Sequence, residues 1–324
     1  MDPRCAHLKT SEMTTAPISI VIPVFNRAHL IGRTLDSIVA QTTPPERVII
    51  VDNNSTDDLT AVIDDYKRRQ LPFELDLLTE EKQGASAARN RGLRAVSTPY
   101  LLFFDSDDVM RPDHIETVWS AFTREPDADL VCFRRLVRLP SGGERLSHLP
   151  GADAVSTHLI HSCFATQAVA MSLDLARRSG LWDESLTGWD DLEYGLRLAL
   201  NSLHIVVCDK VLVEVYYTEG SLTGDNYMEK RGVWENALDC VESDLMRSAH
   251  RWKDRWLRWV IYRRVILAAH YAREANPASS DAGRFPEESV RSLPPLHRAV
   301  LRTVYAWTHR GLRGAHLFYA AINR

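Results

Sequence analysis

Ile18 to Phe25 reads ISIVIPVF, an unbroken β-branched run ended by Asn26. The run is too short for a typical helix and apolar on both faces, so it reads as a strand covered on both sides. RAHLIGRTLDSIVAQ follows, with Ile31, Leu35 and Ile38 on one helical stripe, and Pro44-Pro45 stops it. RVIIVD (Arg47 to Asp52) is a second short strand; FELDLLTE and YLLFFD (Tyr100 to Asp105) are a third and a fourth. Between them lie two helical stretches. In NNSTDDLTAVIDDYKRR, Ser55 or Thr56 suits the helix cap and the acids its first turn; GASAARNRGLRAV is the other stretch. Strand and helix alternate over short connections, the rhythm of a mostly parallel, Rossmann-like sheet with helices on both faces.

Ligands of such sheets gather beyond the carboxyl ends of the strands. Asn26, Asp52 and Asp105 all stand at those ends, so three polar strand termini are expected along one crevice. Neither G-x-G-x-x-G nor G-x-x-x-x-G-K-[ST] occurs. A phosphate held here therefore needs a cation rather than a glycine-rich turn. The run FFDSDD, Phe103 to Asp108, places three carboxylates within four positions. Like charges that close call for a positive partner or for open water.

The rhythm changes after Asp108. Pro112 opens PDHIETVWSAF, DLVCFRRLVRLPSGGERLSHL reads as two extended segments around a Ser-Gly-Gly turn, and QAVAMS is a short strand. DLARRSG closes on Gly180, DDLEYGLRLALNS is helical, and IVVCDKVLVEVYY is again strand. Beyond about Gly224 the chain reads as helix, broken by the loop Asn276 to Ser289. The divisions expected are a tail over 1–16, a catalytic domain over 17–225 split at 108/109, and a helical region over 226–324.

Length and composition, 324 residues with 45% apolar and 25% charged, are those of a globular protein with a substantial core. The five cysteines are odd in number and lack paired metal-ligand spacing, which fits a reducing compartment. The first sixteen residues lack the apolar core of a signal peptide, and no apolar run of about eighteen residues occurs. A cytoplasmic protein is expected. The net charge of -4 conceals an asymmetry. From Arg247 onward there are 15 Lys and Arg against 5 Asp and Glu, and before it 24 against 38.

On an extended strand end, Asp105 and Asp107 point the same way. Two such carboxylates make a hard oxygen site for Mg²⁺ or Mn²⁺, which takes its remaining ligands from phosphates. Alone, D-x-D is more readily a solvated strand end. Four further motifs accompany it in order: ISIVIPVFNR, VIIVDNNSTDD, QGASAARNRGL and, after YLLFFDSDDVM, GLWDESLTGWDDLEYGLRLAL. Over about Pro17 to Thr223 the five together resemble the family 2 glycosyltransferases, inverting enzymes of GT-A fold. The resemblance implies a nucleotide-binding sheet, a smaller mixed acceptor half and a metal-assisted transfer from a nucleotide sugar, UDP-linked, to a hydroxyl of a glycan or lipid-linked glycan.

By that resemblance Pro23, Val24, Phe25, Asn26 and Arg27 cradle the base and ribose, and Asp52 accepts from the base N3–H. Gly84, Arg89 and Ser106 join the donor wall, Arg89 as its cation. Asp105 contacts the ribose and shares the metal, and Asp107 is the direct metal ligand. Asp108 holds the loop. An attacking hydroxyl needs a general base. The Asp190-Asp191 pair aligns with the family's acidic pair, with Asp191 as base, Asp190 as its orienting or acceptor-binding neighbour and Glu193 as the rival. First-turn acids complementing a helix dipole are the plain alternative. Trp182 and Trp189 suit sugar stacking, with core packing the simpler role for Trp182.

One departure stands out. Many relatives carry Arg or His just before S-L-(S/T), where VYYTEGSLT has Tyr217, Thr218 and Glu219, so no contact is assigned there. Two other classes keep the sheet: a nucleotidyltransferase, which usually needs a glycine-rich turn, and a non-catalytic carbohydrate-binding or scaffold subunit. In the basic region Trp252, Trp256 and Trp259 read as one helical stripe beside Arg247, Arg251, Arg255 and Arg258. Such helices suit peripheral contact with an anionic membrane, docking on the acidic body or pairing with a second copy. No nucleic-acid motif accompanies the charge.

Overall fold

The computed structural model describes residues 15–139, 142–217, 227–275 and 284–323. Residues 1–14 of the expected N-terminal tail, Ser141 of the Ser-Gly-Gly turn, Thr218 and Glu219 of the departing loop, and residues 276–283 of the later loop lie outside them. The first half runs β1 (Ala16–Val24), α1 (Ala28–Val39), β2 (Pro45–Asp52), α2 (Leu59–Lys67), β3 (Glu74–Thr79), α3 (Ala85–Ala95) and β4 (Tyr100–Phe103). There follow β5 (Val109–Met110), α4 (His114–Arg124), β6 (Leu130–Arg138), β7 (Glu144–Leu146) and α5 (Ala154–His161). After these come β8 (Val169–Ser172), α6 (Leu173–Ser179), α7 (Asp190–Asn201) and β9 (Ile205–Tyr216). Five helices close the chain: α8 (Arg231–Arg247), α9 (Lys253–Glu274), α10 (Glu287–Val290), α11 (Pro295–His309) and α12 (His316–Ala320).

One nine-stranded sheet orders them β3-β2-β1-β4-β8-β6-β9-β5, with β7 on β6. The first four strands are parallel; β8 runs against both β4 and β6. The unbroken apolar run of β1 has a direct cause. Ile20 and Ile22 pack with Ile31, Leu35 and Ile38 of α1, while Val21 faces the other way with Ala88 of α3 and Phe103. Each fully buried aliphatic side chain is worth about 1.5–3 kcal/mol, so both faces contribute.

Two local expectations give way to tertiary partners. Ser55 and Thr56 do not cap α2, which starts at Leu59 without a side-chain cap or a first-turn acid. Ser55 Oγ instead accepts from Asn26 N at 3.0 Å, and Asn26 Oδ1 accepts from Thr56 N at 2.7 Å. The tryptophan stripe is also interrupted. Trp252 precedes α9 and is exposed, whereas Trp256 and Trp259 are buried against Tyr262, Leu159 of α5 and Leu196 of α7. These two rings are thus committed to packing, and the helical region shares a core with the elements that carry Asp190 and Asp191. Cys132, Cys163, Cys208 and Cys240 are free thiols. Among the described residues no helix is long and apolar enough to cross a membrane.

Candidate active site

A cleft of about 440 Å³ opens at the carboxyl ends of β1 and β4. Pro23 and Val24 line it from β1, Phe25 and Arg27 from the turn after it, Arg89 from α3, and Asp105 to Asp108 from the segment after β4. Asp190 and Asp191 face it from the start of α7. Asn26, Asp52 and Gly84 do not line it; they brace what does. Asp52 Oδ1 accepts from Ser55 N at 2.9 Å, and Gly84 N donates to Oδ1 of Asn53, itself a lining residue, at 2.7 Å.

The acids after β4 share the cleft for a different reason from the expected one. The strand ends at Phe103, and Asp105 to Asp108 form a turn in which Asp108 N donates to Asp105 O. The turn, rather than the pleat of a strand, gathers the carboxylates. Thr34 Oγ1 sits 3.0 Å from Ser106 O and 2.8 Å from Asp108 O, tying the turn to α1. Asp105 accepts from Arg89 Nη2 at 3.1 Å and from Gln167 Nε2 at 3.0 Å. Asp108 is buried and accepts from Gln167 and from Tyr216 N, so it holds the loop.

Burial raises Asp105 above the ordinary carboxylate range although Arg89 opposes it, and burial with repulsion from Asp105 pushes Asp108 up to about 8. Asp107 is half-buried, with Arg27 Nη1 3.7 Å from Oδ2. Among the described residues no three His, Cys, Asp or Glu side chains form a metal cage. Asp105 and Asp107 are a short donor set that could hold a hydrated Mg²⁺ or Mn²⁺, and the crowding of negative charge fits such a cation.

On the opposite wall, Trp189 takes a left-handed conformation, φ 54° and ψ 23°, immediately before α7. Such a backbone costs an aromatic residue roughly 1–2 kcal/mol, so its surroundings must hold it. Arg263 of α9 lies over the Trp189 ring at 5.0 Å, and Trp234 of α8 packs against it at 4.9 Å. Gly188 permits this approach, since a Cβ there meets Val233 Cγ1 at 2.8 Å. Asp190 Oδ2 accepts from Arg89 Nη1 at 2.6 Å and Ser86 Oγ at 3.1 Å, while its Oδ1 receives Asp191 N.

Asp191 keeps a carboxylate enclosed in the cleft. Burial, then the negative charge of Asp190, pushes it up to about 6 against the pull of Arg135 and Arg89. Glu193 points elsewhere: it is 3% exposed and paired with Arg197, at 2.8 Å between Oε2 and Nη2. Trp182 is buried and stacks on Tyr194 at 4.2 Å, with Arg89 over its face at 4.6 Å, which is core packing. Arg135, Gln167, Tyr216 and Trp234 also line the cleft and were not singled out from the sequence. The alternation Arg135-Leu136-Val137-Arg138-Leu139 on an extended segment offered a signal for the first, with Arg135, Val137 and Leu139 on one face. Gln167 and Trp234 carried none, because neither belongs to a motif.

Residues 19–169 match the family model described as glycosyl transferase family 2. Validoxylamine A glucosyltransferase of Streptomyces hygroscopicus subsp. limoneus is 28% identical over 226 residues, 59% of this chain and 49% of that one. The chain thus spans about half the length of that curated relative. In fold it is similar to S. aureus TarS 1-349, solved with UDP-GlcNAc, at TM-score 0.72 and 17% identity, covering 94% of this chain and 90% of that one. It is also similar to mannosyltransferase PcManGT from Pyrobaculum calidifontis, solved with GDP-Man and Mn²⁺, at TM-score 0.55 and 18% identity, covering 96% and 88%. The architecture is GT-A, and the segment 19–169, which carries the D-x-D turn and the strand-end residues lining the cleft, is similar to glycosyl transferase family 2.

Proposed function

We propose that the chain is an inverting, metal-assisted glycosyltransferase that moves a sugar from a UDP-linked donor to a hydroxyl of a glycan or lipid-linked glycan. One observation carries the reading: an enclosed carboxylate held near pH 6, Asp191, faces the same cleft as the D-x-D turn. A base poised near neutral pH accepts a hydroxyl proton and remains ionised at the working pH. Asp190–Asp191 lies beyond the matched segment, so the base assignment rests on this geometry and on the motif order.

Asp105 and Asp107 would hold Mg²⁺ or Mn²⁺, which supplies Lewis-acid stabilisation of a departing diphosphate. Pro23 to Phe25 and Arg27 form the wall for the nucleotide. Arg89 fixes Asp105 and Asp190 together, so the donor and acceptor sides keep one spacing. Asp191 takes the acceptor hydroxyl proton as the new C–O bond forms. The bond from the anomeric carbon to the diphosphate oxygen breaks on the opposite face, and its electron pair leaves with the diphosphate. Holding both substrates in line supplies a large share of the acceleration.

A panel of nucleotide sugars, assayed for slow donor hydrolysis with Mn²⁺ and with chelator, tests the reading. UDP-sugar hydrolysis that disappears with chelator supports it. Hydrolysis of none of the panel, together with no binding of UDP by calorimetry, overturns it.

A further inference from the structure

Four guanidinium groups line the cleft, and three of them are already neutralised. Arg27 pairs with Asp107, Arg89 with Asp105 and Asp190, and Arg138 with Glu214 and Glu144. Arg135 is different. Among the described residues it forms no ion pair; its Nη1 donates to the neutral Gln167 Oε1 at 3.3 Å, and its buried Nε has no partner. Burial lowers its pKa from the usual guanidinium value. A buried cation is costly. Asp191, Asp108 and Asp105 offset part of that cost through space, but none of them pairs with Arg135, and an anionic ligand in direct contact lowers the cost further.

The hairpin supplies a second cation on the same side. Arg135 and Val137 share one face of β6, Leu139 lies just beyond its end, and all three line the cleft. Arg145 of β7 stands directly opposite Val137, and directly opposed residues of an antiparallel pair project to the same face. Arg145 is exposed and forms no ion pair among the described residues. It is also near enough for its charge to act on Arg135. Gln167, the neutral partner of Arg135, bonds Asp105 and Asp108, so this cationic face borders the D-x-D turn.

We propose that Arg135, with Arg145 outside it, forms a binding site for a phosphate-class oxyanion on the β6–β7 face of the cleft. The proposal rests on the glycosyltransferase reading above and adds the group that this face receives. Two sources have the same chemistry: the diphosphate of the donor and a phosphate borne by the acceptor. Arginine suits either, because its planar fork meets two oxygens at once.

The test is calorimetry on the full chain with inorganic pyrophosphate in chelator, and with UDP in Mn²⁺. Arg135→Gln is expected to weaken pyrophosphate binding at least ten-fold, Arg145→Gln several-fold, and Arg135→Lys less than Arg135→Gln. A parallel loss of UDP affinity assigns the oxyanion to the donor. UDP affinity unchanged beside a lost pyrophosphate site assigns it to the acceptor. Wild-type protein that fails to bind pyrophosphate, or variants that bind it as wild type does, overturn the proposal. Those results leave UDP binding and donor hydrolysis by the wild type, and hence the glycosyltransferase reading, standing. Should Arg135→Gln fold poorly, the exposed Arg145→Glu decides alone: unchanged pyrophosphate affinity there sinks the idea.

Discussion

Arg89 Nη1 lies 2.6 Å from Oδ2 of Asp190, a residue 101 positions further along the chain. The same guanidinium reaches Asp105 through Nη2 at 3.1 Å, so one side chain ties the D-x-D turn to the start of α7. Arg89 is only 6% exposed, and its charge is kept by the two carboxylates against the cost of burial. Replacing it with Met leaves both acids unpaired. Arg89→Met is expected to lower stability by about 3–5 kcal/mol and to cut transfer more than that loss alone explains. Denaturant unfolding, paired with kinetics well below the transition, checks both.

The raised pKa of Asp191 makes a signed statement about rate. A base acts only when ionised, so kcat/KM should climb with pH through about 6 and level off above it. Asp190 pushes Asp191 up, hence Asp190→Asn should move the acidic limb to lower pH. Arg135 pulls it down, so Arg135→Gln should move the limb to higher pH. Asp191→Asn should reduce kcat about 10²–10⁴-fold with little change in UDP affinity.

The same shift has the opposite sign for stability. The folded state binds this proton more tightly than the unfolded chain, whose carboxyl has the ordinary value of 3.8. The stabilising contribution is therefore complete below 3.8 and lost as pH rises through about 6. Asp191→Asn, neutral at every pH, should be more stable than wild type at pH 7 by about 1–3 kcal/mol and no more stable at pH 4. Urea denaturation at the two pH values gives the comparison.

Asp107, with Oδ2 3.7 Å from Arg27 Nη1, is the carboxylate we propose as the direct ligand of the cation. Asp107→Ala should weaken UDP binding at least ten-fold in Mn²⁺ and change it little in chelator. Equal affinity of wild type and variant in Mn²⁺ would remove Asp107 from the metal site.

Gly195, one turn into α7, sits against α5 and the residues after it. A Cβ there meets Phe164 O and His158 Cε1, each at 2.7 Å. His158 Nε2 bonds Leu192 O at 2.9 Å and Nδ1 accepts from Phe164 N, so the imidazole is fixed and cannot withdraw freely. Gly195→Ala should cost about 1–3 kcal/mol and displace the helix that carries Asp191. Thermal unfolding with parallel transfer assays separates lost fold from lost alignment.

Truncation after residue 226 tests whether the helical region stands apart from the sheet that carries the cleft. Trp234, Val241 and Trp259 bury themselves with Leu159, Leu192 and Leu196, so removing them exposes one continuous apolar face. The truncated chain is expected to aggregate or to lose transfer. Wild-type kcat from it would show that Trp189 keeps its conformation without Trp234 and Arg263.

Much of this molecule was written locally. The β-branched run of β1 and the turn-bounded runs of β2 and β4 carry their own strand signal, because both faces of the parallel sheet are covered and every position must be apolar. The acids of FFDSDD and of Trp189-Asp190-Asp191 marked both walls of the cleft for the same reason: charge where a buried element ends is visible without knowing its neighbours. Local signals also misled where a distant partner competed, as when Asn26 took Ser55 and Thr56 away from the cap of α2.

Tertiary structure decided what faces what. Sheet order sets β8 between β4 and β6, which brings Gln167 and Arg135 beside the D-x-D turn. Arg89 links acids far apart in sequence, and α8 and α9 clamp Trp189 in a left-handed turn. Periodicity reports whether a residue is inside or outside, but not which of two remote charges it meets. That pairing follows from the way the elements stack, where the burial of apolar faces fixes the positions first and the electrostatics of the cleft are the consequence.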